Sequence, residues 1–108
     1  MPDPSSPNSS FACFADFYEF YLGEHANRTC RRMHFVGTTL ALFCLIAFAL
    51  SGGVLWWLLS ALGVGYGFAW AGHFFFEKNR PATFKYPIYS LMGDWVMWWE
   101  ILRGRIAF

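Results

Sequence analysis

Two long apolar runs, separated by only Ser51, Gly52 and Gly53, constrain the fold of this chain more than any other feature. Residues 35–50 and 54–76 contain no Asp, Glu, Lys or Arg. At about 1.5 Å per residue, a helix over the second run reaches the roughly 30 Å of a bilayer core. The first run is shorter, and it spans if its polar ends snorkel or the bilayer thins locally. The pattern predicts a transmembrane hairpin.

The composition agrees with a protein that meets lipid. Hydrophobic residues make up 56% of the chain and charged residues only 14%, which is too little charge to cover the surface of a soluble domain of 108 residues. Aromatic residues make up 22%, and Trp and Tyr favour the membrane interface. The net charge of +1 gives no case for a nucleic-acid partner.

The segments outside the hairpin complete the predicted fold. Residues 1–10 are rich in Pro and Ser and lack the basic region of a signal peptide, so we expect a disordered tail. Residues 11–21 predict an amphipathic interfacial helix. Residues 86–102 are apolar but contain Asp94, and they predict a short membrane helix that spans or re-enters. We therefore expect residues 11–108 to form one membrane-embedded, all-α domain, a small polytopic helical bundle.

Small residues recur every four positions in the second run. One row consists of Ala61, Gly65 and Ala69, and another contains Gly63 and Gly67. Small residues at this spacing allow helices to approach closely in lipid. They favour tight packing of the two helices of the hairpin. They are equally compatible with contact between copies of the chain in a homo-oligomer.

Basic residues predict how the hairpin is oriented. They cluster before the first run and after the second, so both clusters lie at one end of the hairpin, and its tip is uncharged. By the positive-inside rule this end faces the cytoplasm. We expect a bacterial inner membrane, or the endoplasmic reticulum in a eukaryote. The residues are Arg28, Arg31, Arg32, Lys78, Arg80 and Lys85.

All three histidines of the chain fall at this same end. Imidazole is a common ligand of Fe, Zn and Cu, so His25, His34 and His73 predict a metal site. A single histidine at an interface is more often a hydrogen-bonding or lipid-facing residue, and the convergence of all three favours the metal. His25 and His34 would lie on opposite faces of one straight helix, so the chain must bend or break between them.

Carboxylates near the histidines have two candidate roles. Glu24, Glu77 and Asp94 could supply a fourth ligand, or could orient a histidine by bonding the ring nitrogen that does not bind the metal. The charge of Asp94 within an apolar segment indicates a function. His73 and Glu77 are four residues apart and are expected to share a helix face. The cysteines show no spacing typical of metal ligands.

Basic side chains beside the second run are candidates for binding a carboxylate head group. Pro81 is expected to end the helix, and Arg80 precedes it in extended backbone. Arg28, Lys78 or Arg80 could grip a carboxylate. The alternative is a capped loop with interfacial anchors, and the sequence leaves both open.

Two longer motifs carry a resemblance to a known family. "FYxxxxxHxNxxxRxxHxxG" lies in residues 17–37, with looser spacing at its start, and "GHxxFEKNxPATFxxPxxSLxxDxxM" covers residues 72–97. Together they resemble the 2-hydroxy fatty acid dioxygenase family over residues 17–104. The resemblance implies a membrane enzyme of fatty acid α-oxidation. Such an enzyme uses Fe(II) to convert a 2-hydroxy fatty acid and O2 to the acid one carbon shorter and CO2.

The resemblance also implies site residues. His25, His34 and His73 are implied as iron ligands, and Glu77 and Asp94 match further motif positions as candidate catalytic residues.

Asn79 also matches the second motif, and with Arg28 and Arg80 it completes our set of candidate substrate-binding residues.

Other functions compete with this interpretation. A di-iron hydroxylase or desaturase needs about eight histidines, and this chain has three. A haem protein with His34 and His73 as axial ligands, and a non-catalytic membrane hairpin, both stay open at this point.

Overall fold

The computed structural model describes residues 11–108, and over this range the chain is helical with no strand. The all-α prediction is confirmed, whereas the predicted disordered tail, residues 1–10, lies outside the described residues. The helices are α1 (Phe14–Gly23), α2 (Arg28–Leu50), α3 (Leu55–Ala71) and α4 (Pro87–Leu102). A π-helical segment (Gly72–Glu77) continues α3, and a short 3-10 turn (Ala82–Phe84) precedes α4.

The hairpin formed by α2 and α3 contains both helices that are long and apolar enough to cross a membrane, among the described residues. These are Arg28–Leu50 and Leu55–Glu77, each of 23 residues. The α2 helix begins at Arg28 rather than at residue 35, because the side chain of Asn27 caps it by accepting from the Cys30 amide. His34 therefore lies inside a helix and not in a polar loop before it.

Close backbone contact holds the hairpin together. A Cβ on Gly37 would lie 2.6 Å from Cβ of Phe68 and 3.3 Å from the Gly65 carbonyl oxygen. Ala61 and Ala69 are buried in the same interface. The predicted packing of this row of small residues is confirmed.

The second row of small residues behaves differently. A Cβ on Gly63 or Gly67 would meet nothing within 4 Å. These two glycines lie on the outer side of α3, and they make no close contact with the rest of the described chain.

Helices α1 and α4 cover the end of the hairpin that carries the histidines. Phe17 and Tyr21 of α1 form a buried cluster with Met97 and Ile101 of α4. The α4 helix has 16 residues, about 24 Å of helix. This length is too short to cross a bilayer core unaided. A membrane-spanning α4 is therefore disfavoured, and a re-entrant α4 stays a prediction.

The end of the second long helix differs from the expectation based on Pro81. The helical segment ends at Glu77, and Lys78 follows in the left-handed conformation with φ 58°. A left-handed residue is a common helix terminator, so the chain has left the helix before it reaches the proline.

The contrast between Gly37 and Gly63 gives a test of the hairpin contact. We expect Gly37→Ala to lower the free energy of unfolding by about 1–3 kcal/mol, because the added methyl group overlaps Phe68. Gly63→Ala is the matched control, and we expect it to be neutral or to stabilise α3 by up to about 1 kcal/mol. Unfolding by SDS in mixed micelles, followed by circular dichroism, measures both. Equal effects of the two substitutions would contradict the contact.

Candidate metal centre

Three imidazoles and one thiol meet in the buried interior of the described chain. One donor atom from each of His25, Cys30, His34 and His73 lies within 4.8 Å of every other. The ring centroids of the histidines are 4.4, 4.5 and 5.0 Å apart. Each of the four residues is at most 4% exposed. The predicted convergence of the histidines is thus present in the structure.

A break between α1 and α2 brings His25 and His34 to the same place. The α1 helix ends at Gly23, α2 begins at Arg28, and His25 lies in the turn between them. Nε2 of His25 and Nε2 of His34 are 3.0 Å apart. The expected break in the backbone is confirmed.

Side chains from two helices fix this turn. The Glu77 carboxylate accepts from the backbone amides of Ala26 and Asn27 at 3.1 and 2.6 Å. The Arg31 guanidinium donates to the backbone carbonyls of His25 and Ala26 at 3.0 and 2.9 Å. Glu77 therefore ties the second span to the turn, and it does not belong to the donor group.

The hydrogen bonds of His25 assign its tautomer. Nδ1 of His25 lies 2.6 Å from the backbone carbonyl oxygen of Tyr21. A carbonyl only accepts, so Nδ1 carries the proton and Nε2 keeps its lone pair. The ring also stacks on Tyr21, with centroids 4.0 Å apart.

A second chain of hydrogen bonds assigns the tautomer of His73. The side-chain nitrogen of Asn79 donates to the Glu24 backbone carbonyl at 3.1 Å and to its carboxylate at 2.5 Å. The oxygen of Asn79 is therefore the atom that faces Nδ1 of His73, at 2.7 Å, and it accepts. Nδ1 of His73 carries the proton, which leaves Nε2 as the ligand atom.

Asp94 and Tyr21 complete the arrangement at His34. Oδ1 of Asp94 lies 3.5 Å from Nδ1 of His34 and accepts a 2.5 Å hydrogen bond from the Tyr21 hydroxyl. Burial, and secondly the charge of Asp94, hold the pKa of Tyr21 well above its usual range, so the phenol stays a donor. The carboxylate favours a proton on Nδ1 of His34, which again leaves Nε2 with a lone pair.

The three assignments together fit a bound cation. Nε2 of His25 and Nε2 of His34 are 3.0 Å apart, a distance that suits either a proton shared in an N–H···N hydrogen bond or a cation that both lone pairs face. Two ligands at right angles around an ion, each about 2.1 Å from it, are separated by about 3.0 Å. The pKa of His25 lies well below its usual range because of burial, with further contributions from His34 and His73. His25 is therefore neutral at pH 7, as a metal ligand must be.

His73 lies in the π-helical segment Gly72–Glu77. π-helical segments are rare in proteins, and those that do occur are often found at functional sites. The four-residue spacing of His73 and Glu77 predicts that they share a face of an ordinary α-helix, and this prediction is wrong. In the structure His73 faces the other imidazoles, while Glu77 holds the turn that carries His25.

Two residues of the site were missed. Cys30 showed no metal-ligand spacing in sequence, yet its thiol lies in the donor group. The available signal was its position four residues before His34, which places both on one face of α2. Tyr21 stands in the same relation to His25, and its ring contacts Gly93, where a Cβ would lie 2.9 Å from it.

Of the three candidate substrate-binding residues, Asn79 contacts a member of the donor group, and Arg28 and Arg80 have other surroundings. Arg28 donates through Nε to the Phe108 backbone carbonyl at 2.6 Å. Asn79 holds His73, as described above. Arg80 is exposed and lines an open depression of about 540 Å³ that also contains Glu24 and Asn79. The structure brings none of the three into contact with the ligand nitrogens, and their role toward a substrate stays a prediction.

Asn79 offers a test of the hydrogen bonds behind the imidazoles. We expect Asn79→Ala to weaken metal binding by about ten- to a hundredfold, because His73 loses the acceptor that fixes its ring and tautomer. The neighbouring substitution Arg80→Ala is the control, and we expect it to leave metal affinity unchanged. Competition with a chromogenic chelator measures both affinities. Equal affinities for both variants would show that the contact does not position His73.

Comparison with known families gives an independent result. Residues 11–106 match the family described as "Mpo1-like: 2-hydroxy-palmitic acid dioxygenase Mpo1-like". The match covers all four helices and every residue of the donor group. No curated protein and no solved structure gave a significant match.

Proposed function

Because this chain belongs to the Mpo1-like family of 2-hydroxy-palmitic acid dioxygenases, we propose that it is an Fe(II)-dependent membrane enzyme of fatty acid α-oxidation. It converts a 2-hydroxy fatty acid and O2 to the acid one carbon shorter, CO2 and water. The observation that carries the proposal is the set of three buried imidazoles, each held through Nδ1, with their Nε2 lone pairs turned toward one point.

The proposed reaction balances without a further reductant. Oxidation of a 2-hydroxy acid to the shorter acid and CO2 releases four electrons and breaks the bond between the carboxyl carbon and the α-carbon. Reduction of O2 takes up four electrons, and its oxygen atoms end in the shorter acid and in water. Neither a nicotinamide nor a second organic substrate is then required.

His25, His34 and His73 would hold the iron, which would supply the redox chemistry that lets O2 react with the substrate. The remaining residues orient this set. Tyr21 fixes His25 through its backbone carbonyl, and it fixes Asp94 through its hydroxyl. With the rings held from outside, their positions need little rearrangement when the metal binds.

Burial would keep water out of the reaction. Each imidazole is at most 4% exposed, and water competes with substrate and diverts reactive species. The carboxylate of Asp94 lies 3.5 Å from Nδ1 of His34. We propose that it balances the charge of the loaded site through that ring and does not itself bind the metal.

The hairpin would lie in the membrane. Large apolar side chains of α2 and α3 point outward, such as Phe43 at 61% and Trp56 at 69% exposure. Only 17% and 22% of the two spans are buried inside the structure, whereas a core helix of a soluble protein is mostly buried. Lipid is the solvent that suits such a surface. The basic clusters would place the site at the cytoplasmic end.

The haem alternative is disfavoured by the packing of the rings. Axial ligands must face each other across a flat macrocycle. His34 and His73 have centroids 5.0 Å apart, and His25 contacts both rings. No space for a porphyrin lies between them. A haem site would in addition give a Soret absorbance band, which we expect to be absent.

Metal analysis with an assay tests the proposal directly. We expect protein purified in detergent without chelator to contain one iron per chain and to convert 2-hydroxypalmitate to pentadecanoate. His73→Ala should lose at least about tenfold in iron affinity, and the activity with it, because a direct ligand is removed. Glu19→Gln, on the exposed side of α1, is the control. Iron and activity retained in all three His→Ala variants would exclude these ligands.

Cys30 separates a catalytic site from a structural one. Catalytic sites keep coordination positions open, whereas a closed set of four protein ligands is typical of structural zinc. We expect Cys30→Ala to retain iron and activity within about threefold, as Cys44→Ala in the same helix does, since three imidazoles suffice. Loss of metal in Cys30→Ala alone would indicate a closed site, and with it a non-catalytic hairpin.

A further inference from the structure

An apolar cleft of about 220 Å³ begins beside the imidazoles and runs along the hairpin. His34 and Asp94 line one end, and Leu45 and Leu58 line the other. Most of the residues between these ends are small or apolar. The cleft is thus polar at the metal centre and hydrocarbon-like farther away.

The arrangement of the helices explains this cleft. One face of α2 forms its floor, with His34, Thr38, Ala41 and Leu45 at helical spacing. Helices α3 and α4 both pack against α2, and the cleft lies between them. Small residues on α3, such as Ala61, leave the space open.

The cleft also opens sideways, toward the surface that we assign to lipid. Leu62 of α3 and Leu91 of α4 line it and are 53% and 45% exposed. The floor beneath them is closed, since Thr38 and Ala41 are each 8% exposed. A molecule dissolved in the bilayer could enter between α3 and α4 without crossing water.

We propose that this cleft receives the alkyl chain of a single-chain amphiphile whose polar head lies at His34 and Asp94, and that Leu45 and Leu58 set the accepted chain length. The inference rests on the proposed function, in which that amphiphile is a 2-hydroxy fatty acid. A cleft this small falls below the roughly 300 Å³ of typical ligand sites, so it suits one narrow chain and excludes the paired chains of a phospholipid.

The length of the cleft matches a long chain. From His34 to Leu45, α2 rises about 16 Å. An extended alkyl chain advances about 1.25 Å per carbon, given bonds of about 1.5 Å, so the cleft holds on the order of a dozen methylene groups.

Blocking the far end tests the inference. With wild-type protein, kcat/KM should rise about fourfold per methylene from 2-hydroxyoctanoate upward, until the cleft is full. For the Leu58→Trp variant, we expect the rise of kcat/KM with chain length to stop at a shorter substrate. This variant should lose about tenfold or more toward 2-hydroxypalmitate, because two or more methylenes are excluded, and it should change little toward 2-hydroxyoctanoate.

Leu59→Trp is the matched control, because Leu59 is the next residue of α3, is 53% exposed and does not line the cleft. The Leu59→Trp variant should show the same dependence of kcat/KM on chain length as the wild-type protein. Leu45→Trp blocks the same end from α2 and should repeat the effect of Leu58→Trp, so that a folding defect in one variant does not decide the result. Iron content and circular dichroism report folding for each variant.

Photolabelling gives a readout that needs no turnover. A 2-hydroxy fatty acid with a terminal diazirine should label residues around Leu45 and Leu58, and excess 2-hydroxypalmitate should suppress the labelling. Leu58→Trp should remove it, and Leu59→Trp should not. Labelling confined to lipid-facing residues such as Phe43 and Leu59, or equal labelling by a phospholipid diazirine, would overturn the inference.

The two readouts separate this inference from the proposed function. Competed labelling at Leu58 without turnover would support the cleft and contradict the dioxygenase. Turnover of 2-hydroxypalmitate with identical chain-length series for Leu58→Trp and Leu59→Trp would support the dioxygenase and contradict the cleft.

Discussion

The close approach of α2 and α3 determines where every other part of the site can lie. A Cβ on Gly37 would overlap Phe68, and a Cβ on Gly72 would lie 3.2 Å from the Cys30 sulfur. Imidazole reaches only a short distance from its backbone, so helices held farther apart could not bring His34 and His73 to one point. The glycines are therefore required for the histidine cluster as much as for the hairpin. If the hairpin lies in lipid as proposed, burial of apolar surface does not drive the helices together, and such contacts would also supply the attraction.

Each imidazole depends on a group from a different element, and this explains why α1 and α4 are present. Tyr21 of α1 contacts the His25 ring and holds Asp94 of α4, which faces His34. Asn79, just after the second span, holds His73. A hairpin alone would supply two of the rings without fixing their tautomers. The short helices are thus best understood as the support of the histidine cluster, and the buried hydrophobic cluster between them holds that support in place.

The sequence was informative wherever a local pattern controls the structure. Hydropathy located the hairpin. The nine-position separation of His25 and His34 required a break in the helix, which lies where Asn27 caps α2. Other features depend on contacts between distant segments. The π-helical segment at His73 and the Asn79 contact follow from how the second span meets the turn after α1. The start of α2 was misplaced, because hydropathy does not register a capped polar turn of helix.

The distribution of buried groups links the metal to the stability of the fold. Among residues 11–108, the largest fully buried side chains are Tyr21, Phe17, Met97, His25, His73 and Cys30, so half of these belong to the donor group. Buried polar groups cost free energy unless they are satisfied, and here the inward nitrogens face one another. An ion that binds only the folded chain stabilises it by mass action. The centre of this protein is therefore a place where metal binding and folding are expected to be one process.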